Sequence, residues 1–218
     1  MTSPFSTSDR AESLMDWFQL HSRKVAWAGV GVVALAAGGW FYNRSQELKA
    51  ERAERAYFEA QRSVVAGNLP LAESDFRKMV TRYEGTPSAM QGRLMLAQIL
   101  YDQGKFQQGV DELKKAEDEI SKSERYGSSV HLVLGSGLEQ LRKYREAAEQ
   151  YQKAADQARF DPDRERFESL TARAWLTAGD TAKAKEIWTR LGADSKGTVA
   201  GEARVRLGEL TAAAQPAT

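Results

Sequence analysis

Four segments of this chain repeat one another: AGNLPLAESDFRKMV (66–80), DQGKFQQGVDELKKA (102–116), QLRKYREAAEQYQKA (140–154) and TAGDTAKAKEIWTRL (177–191). In register they place Ala72, Gly109, Ala147 and Ala184 at one position, recurring every 37–38 residues. Four residues further on stand Phe76, Leu113, Tyr151 and Trp188, always large and apolar, and three beyond those Met79, Ala116, Ala154 and Leu191. A turn precedes each segment's helical part with Gly67, Gly104, Arg142 or Gly179, followed two residues later by Leu69, Phe106, Tyr144 or Thr181. Ahead of three of the turns come Leu96-Ala97 with Leu100, Leu134-Gly135 with Leu138, and Thr171-Ala172 with Trp175. A period this short holds one supersecondary unit, which buries its apolar face only by stacking on its neighbours.

The unit is a helical hairpin. Prolines number only five, and alanine, glutamate, lysine, arginine, leucine and glutamine, all strong helix formers, dominate outside one apolar stretch. A small residue on each helix lets two backbones approach, and the large residue one turn later fills the groove beside the contact. Glycine at the turn ends the first helix in a left-handed conformation that other residues enter at a cost. These positions resemble the tetratricopeptide repeat: small at two sites, aromatic or leucine at three, glycine at the turn. The departures are a period longer than about 34 residues, a weak first helix in the opening unit, and Arg142 at a glycine position. The long period predicts extended loops at 121–129 and 160–164. A last helix, 199–212, with Ala203, Leu207 and Leu210 inward, is expected to cap a right-handed stack of about four hairpins.

The second constraint is an uncharged stretch, VAWAGVGVVALAAGGWFY (25–42), bounded by Arg23-Lys24 and Asn43-Arg44. As a helix it would be about 27 Å long, close to a bilayer's hydrocarbon thickness. Trp40, Phe41 and Tyr42 close it with rings that favour the headgroup boundary. Ala34 and Gly38, four residues apart, are candidates for close packing against another membrane helix. Ala34-Leu35-Ala36 also has cleavage-like spacing, but a polar 24-residue leader argues for an anchor over a signal peptide. Ser8-Asp9 caps an expected leader helix to about Leu20, whose Leu14, Met15, Trp17 and Phe18 share a side. Such a helix either lies in the membrane interface, with Trp17 and Phe18 at the boundary, or docks on a protein. Between 43 and 66 neither proline nor glycine interrupts the chain, and Ala53, Ala56, Tyr57, Ala60 and Val64 form one stripe. The expected organisation is thus leader (1–24), membrane helix (25–42), repeat domain (43–212) and tail (213–218).

Reaction machinery is not evident. The formal net charge of +1, with both signs interspersed, gives no electrostatic case for nucleic acid. Without cysteine, thiol chemistry and disulfides are excluded. Of two histidines, His21 belongs to the leader and His131 to an inner repeat helix, where it reads as a packing residue. Gly135-Ser136-Gly137 lacks the preceding strand and third glycine of a phosphate loop, and reads as a small-residue helix contact. Asp161 and Asp163 flank Pro162 at a turn and helix cap. Glu117, Asp118 and Glu119 form a solvated helix face rather than a calcium loop. Asn43-Arg44-Ser45 fits the glycosylation pattern but abuts the apolar stretch. The expectation is a protein that is not an enzyme, with no catalytic residue, metal, cofactor or small-molecule substrate.

The arrangement as a whole resembles the bacterial inner-membrane tetratricopeptide-like proteins of the YfgM type, ancillary subunits of the Sec translocon. The resemblance rests on Leu14-Met15-Asp16-Trp17-Phe18 through Arg23-Lys24, on the glycine-rich stretch ending Trp40-Phe41-Tyr42, and on AYFEAQ (56–61), LMLAQILYDQGKF (94–106) and GEARVRLGEL (201–210). It implies a cytoplasmic N-terminus, a periplasmic repeat domain, and the translocon or periplasmic chaperones as protein partners. Basic residues flank the stretch on both sides (Arg10, Arg23 and Lys24; Arg44, Lys49, Arg52 and Arg55), so charge does not set the orientation. The alternative is a structural subunit of a large respiratory or photosynthetic membrane complex.

Overall fold

Helix starts and stops are written into the chain, and the computed structural model, which describes residues 22–115, 117–120, 123 and 125–213, follows them closely. The helices are α1 (Ser22–Val65), α2 (Leu69–Arg82), α3 (Pro87–Asp102), α4 (Phe106–Lys114), the single turn α5 (Glu117–Ile120), α6 (Gly127–Gln140), α7 (Tyr144–Asp156), α8 (Asp161–Thr177), α9 (Thr181–Ala193) and α10 (Ala200–Ala213). The Asn68 side chain accepts from the Leu71 amide, Thr86 from Ala89 and Asp180 from Lys183, each meeting a donor the helix start leaves open. Proline stands in the first turn of α2, α3 and α8, where its missing N–H is not needed.

Each hairpin turn closes in the same way. Gly67, Gly104 and Gly179 have φ of 71°, 74° and 85°, and Arg142 adopts 59°. At every one, two backbone bonds seal the preceding helix. The Asn68 amide donates to the Ser63 carbonyl at 3.0 Å, Lys105 to Leu100 at 2.8 Å, Lys143 to Leu138 at 2.9 Å and Asp180 to Trp175 at 2.9 Å. The turn residue's own amide bonds three residues back, to Val64, Tyr101, Glu139 or Leu176. This is the Schellman closure. Arg142 therefore keeps the geometry of the residue it replaces.

The chain divides into two units, Met1–Glu51 and Arg52–Thr218. In the second, helices pack on their sequence neighbours from α2 to α10, and α3 also touches α6. The repeat positions make the core: Ala72, Phe76, Leu96, Ala97, Leu100, Leu113, Leu134, Ala147, Ala172, Ala184 and Trp188 are fully buried. α3 serves two clusters, giving Leu96, Ile99 and Leu100 to the one built with Tyr57, Ala60 and Phe76, and Ala97 to the one running on to α10. A hairpin whose two faces both need neighbours is what makes a repeat stack. The opening unit is stronger than its sequence implies, because Ala53, Tyr57 and Ala60 are buried and the Tyr57 ring meets Phe76 edge-on at 5.6 Å. At the far end Ala203 is buried, with Leu207 and Leu210 packed against the same core.

Two loop expectations are corrected. Residues 127–129 open α6, and 161–164 form the first turn of α8. The extra residues of the long period go into helix, since Pro162 with acidic neighbours starts a helix more readily than it extends a loop.

In the first unit, residues 30–47 of α1 are exposed at every position around the helix. Among the described residues no helix is long and apolar enough to cross a membrane. The side chains of Val25, Ala26 and Ala28 lie outside the described residues, and the unbroken run from Val30 to Tyr42 covers only about 20 Å of helix. The expected membrane-spanning helix is thus not shown by the described residues. The leader helix with Trp17, Phe18 and His21, and the tail from 214, lie outside them altogether.

Candidate functional site

Close backbone approach sets the spacing of the stack and hence which side chains remain for a partner. A β-carbon on Gly135 would meet the Tyr151 ring at 2.5 Å, and one on Gly137 would strike the Tyr101 hydroxyl. The Gly135-Ser136-Gly137 segment is accordingly a helix contact, as its sequence predicts. Tyr101 and Tyr151 are locked into these contacts, the first donating to the Val133 carbonyl at 3.3 Å and the second to Glu139 at 2.8 Å. Burial pushes both phenols far above their ordinary pKa.

Polar groups that sequence reasoning missed tie helices together within hairpins and, at Glu73 and Lys105, between successive ones. Arg93 of α3 donates to Glu112 of α4 at 2.6 Å, both nearly buried, and Lys115 joins Glu112 at 2.9 Å. Glu73 accepts from Lys105 at 2.7 Å and Arg77 at 3.0 Å, which holds its carboxyl below the usual range. Arg190 donates to the buried Glu168 at 2.6 Å. Spacing marks Glu73–Arg77 and Glu112–Lys115, one helical turn apart, but local pattern carries no signal for Arg93–Glu112, Lys105–Glu73 or Arg190–Glu168 beyond their charge.

His131 is 2% exposed, its Nδ1 2.7 Å from the Gln150 Oε1, while its Nε2 has no partner among the described residues. Gln150 in turn donates to Glu117 at 3.2 Å, and Lys153 donates to it at 3.3 Å. Burial lowers the His131 pKa, more than Gln150 and Glu117 raise it. The histidine is a packing residue, as expected. Glu117 is not on a solvated face: it is partly buried, with its carboxylate accepting from Gln150 and Lys153 of α7, while the one-turn α5 packs against α6. Among the described residues no three carboxylates or histidines are placed to hold a metal ion.

Among the described residues, two features open to partners stand out. One is the apolar part of α1, where Trp40, Phe41 and Tyr42 are 69%, 71% and 63% exposed, with Trp27, Val30, Val32, Val33 and Leu35 also exposed. Gly38 has no neighbour within 4 Å, so the Ala34/Gly38 side of the helix is bare. The other is a cavity of about 500 Å³ where the start of α6, the α7–α8 connection and the start of α8 meet.

A family model described as the tetratricopeptide repeat-like domain matches residues 15–211. Among solved structures, the nearly identical TPR-like repeats of a protein designated a kinesin light chain, from Podosopora anserina, superpose with a TM-score of 0.60 at 17% identity, covering 75% of this chain and 87% of that one. A tetratricopeptide repeat protein from Parabacteroides merdae gives the same TM-score at 15% identity, over 75% of this chain and 61% of that one. At such identities the likeness is one of fold alone. No curated protein matches the chain.

Proposed function

The chain belongs to the tetratricopeptide repeat-like domain family, and from that premise we propose that it is a non-catalytic interaction scaffold held at a bacterial inner membrane. In this reading residues 25–42 form the anchor, and the repeats hold a protein partner at the bilayer. Tethering raises the partner's effective concentration there without any new contact. The observation that carries the reading is the exposure of apolar side chains on every side of α1 between Val30 and Tyr42. A helix apolar all round belongs in lipid or in a protein core. Removing each large side chain from water is worth about 1.5–3 kcal/mol, so the seven exposed ones there together favour such a setting by on the order of 10–20 kcal/mol. The family match supports the same view, since it begins at residue 15 and so takes in the apolar stretch with the repeats.

The partner class follows from the resemblance to YfgM-type proteins: the Sec translocon or the chaperones that receive its clients, with the repeat domain periplasmic. A second reading, a structural subunit of a large energy-converting complex, draws on the bare Ala34/Gly38 side, which suits packing against another membrane helix.

The test expresses the full chain in a bacterial host and washes the membranes with alkaline carbonate. The intact chain is expected in the pellet and a form lacking 25–42 in the supernatant. Release of the intact chain refutes the anchor. The chain has no cysteine, so a single cysteine at exposed Thr198 reports the side of the membrane by its labelling. Stoichiometric co-migration with one large complex in mild detergent would favour the subunit, and substoichiometric crosslinks to secretory machinery the accessory role.

A further inference from the structure

The cavity between α6 and α8 combines an apolar floor with a rim of guanidinium groups. Leu132, Ala158 and Phe167 line its bottom, continuous with the small cluster of Ala154, Ala155 and Phe167. Arg125, Arg159 and Arg166 stand around it, with Asp163 as the only carboxylate in the lining among the described residues. Asp163 offsets little of that charge: it lies 3.7 Å from Arg166, and both side chains are at least half exposed. Aromatic faces position two of the arginines. The Arg166 guanidinium carbon sits 4.8 Å from the centre of the Phe167 ring, and that of Arg159 lies 5.6 Å from Phe160. Stacking of this kind pre-orders the guanidinium fork for two-point contact with a carboxylate. Phe160 itself remains 61% exposed beside the opening.

In a chain whose formal net charge is +1, three arginines around one opening are a local concentration of positive charge, not a reflection of composition. A volume of about 500 Å³ admits one or two side chains, not a folded element. We propose that this cavity binds an acidic segment of a partner protein, taking one aromatic or aliphatic side chain onto Leu132 and Phe167 while flanking carboxylates engage Arg125, Arg159 and Arg166. The partner's carboxylates compete with Asp163 for Arg166. This deepens the scaffold reading and rests on it.

The probe is a fluorescein-labelled peptide, Glu-Glu-Phe-Glu-Glu, titrated by anisotropy with the full chain in mild non-ionic detergent, beside a Gln-Gln-Phe-Gln-Gln control. The acidic peptide is expected to bind and the glutamine peptide to bind at least 10-fold more weakly. Arg125→Glu with Arg166→Glu should weaken the acidic peptide at least 10-fold and admit Lys-Lys-Phe-Lys-Lys in its place. Asp163→Asn should tighten the acidic peptide several-fold, a gain that a damaged fold does not produce. Absence of binding to the unmodified chain, equal binding of the glutamine peptide, or indifference to both the charge reversal and Asp163→Asn overturns the proposal. Arginine-dependent binding of phosphatidylglycerol vesicles without peptide binding also overturns it, assigning the rim to lipid. Crosslinking of the chain in its membrane keeps the two readings apart. Partner crosslinks that survive the charge reversal leave the scaffold standing and remove the cavity's role, whereas no crosslinks to the unmodified chain remove the scaffold.

Discussion

Arg142 occupies, at φ 59°, the turn position that glycine holds in the other three hairpins, and its replacement tests how the stack is closed. Left-handed backbone costs a residue with a β-carbon about 1–2 kcal/mol. Glycine removes that cost but frees the unfolded chain, giving back about 0.4–1 kcal/mol. The Arg142 side chain is exposed, and no hydrogen bond or ion pair of it is found among the described residues, so little else is lost. Arg142→Gly should therefore stabilise by roughly 0.5–1 kcal/mol, raising the melting temperature by about 1–4 °C in a chain of this size. Arg142→Ala separates backbone from side chain: alanine must enter the same conformation, so it should stay within about 0.5 kcal/mol of the parent. In the opposite direction, Gly104→Ala and Gly179→Ala should each lose about 1 kcal/mol or more. Urea unfolding of the full chain in mild detergent, followed by circular dichroism, resolves these differences. If Arg142→Gly proves no more stable than Arg142→Ala, the positive φ is not a cost and the reasoning fails.

Further consequences concern the buried polar groups and the tight contacts. Removing either partner of the Arg93–Glu112 pair should cost about 3–5 kcal/mol, while Arg93→Met combined with Glu112→Leu should recover most of it; a double variant as unstable as the singles would argue against the pairing. Gly137→Ala should cost about 1–3 kcal/mol by driving a methyl into Tyr101 and Val110, visible in the same urea titration. His131 has its pKa held below the ordinary 6.5 by burial, so the unfolded chain binds more protons than the folded one just below that value. Its contribution is complete above pH 6.5 and declines as the pH falls towards the lowered pKa. His131→Gln should flatten the melting temperature against pH between 5 and 7, and an unchanged slope would mean another group titrates there.

How much of this was legible beforehand depends on the range of each interaction. Helices, turns and core positions were readable because they are local: Leu100 and Lys105, or Leu138 and Lys143, lie five residues apart and bond across the turn whatever the rest of the chain does. The fully buried Phe76, Leu113 and Trp188 were found for the same reason, since a large residue one turn after a small one marks the packed side of a helix. The expected loop residues that prove helical, 127–129 and 161–164, are local too, but there helix start and turn signals use the same residues.

The repeat period, the all-helical composition and the uncharged stretch before the repeats are properties of the chain alone, and they determined the kind of fold, the order of its parts and the residues that pack. Stacking decided the rest. Glu73 reaches Lys105 over 32 residues, Glu117 reaches Gln150 over 33, and Arg125, Arg159 and Arg166 share one cavity only because α6 and α8 begin at the same end of neighbouring hairpins. Charges far apart in sequence carry no mutual signal until the backbone path between them is set. The spacing of a helical repeat settles which side chains turn inward, and only the closeness of one hairpin to the next settles which of those left outside come to share a surface.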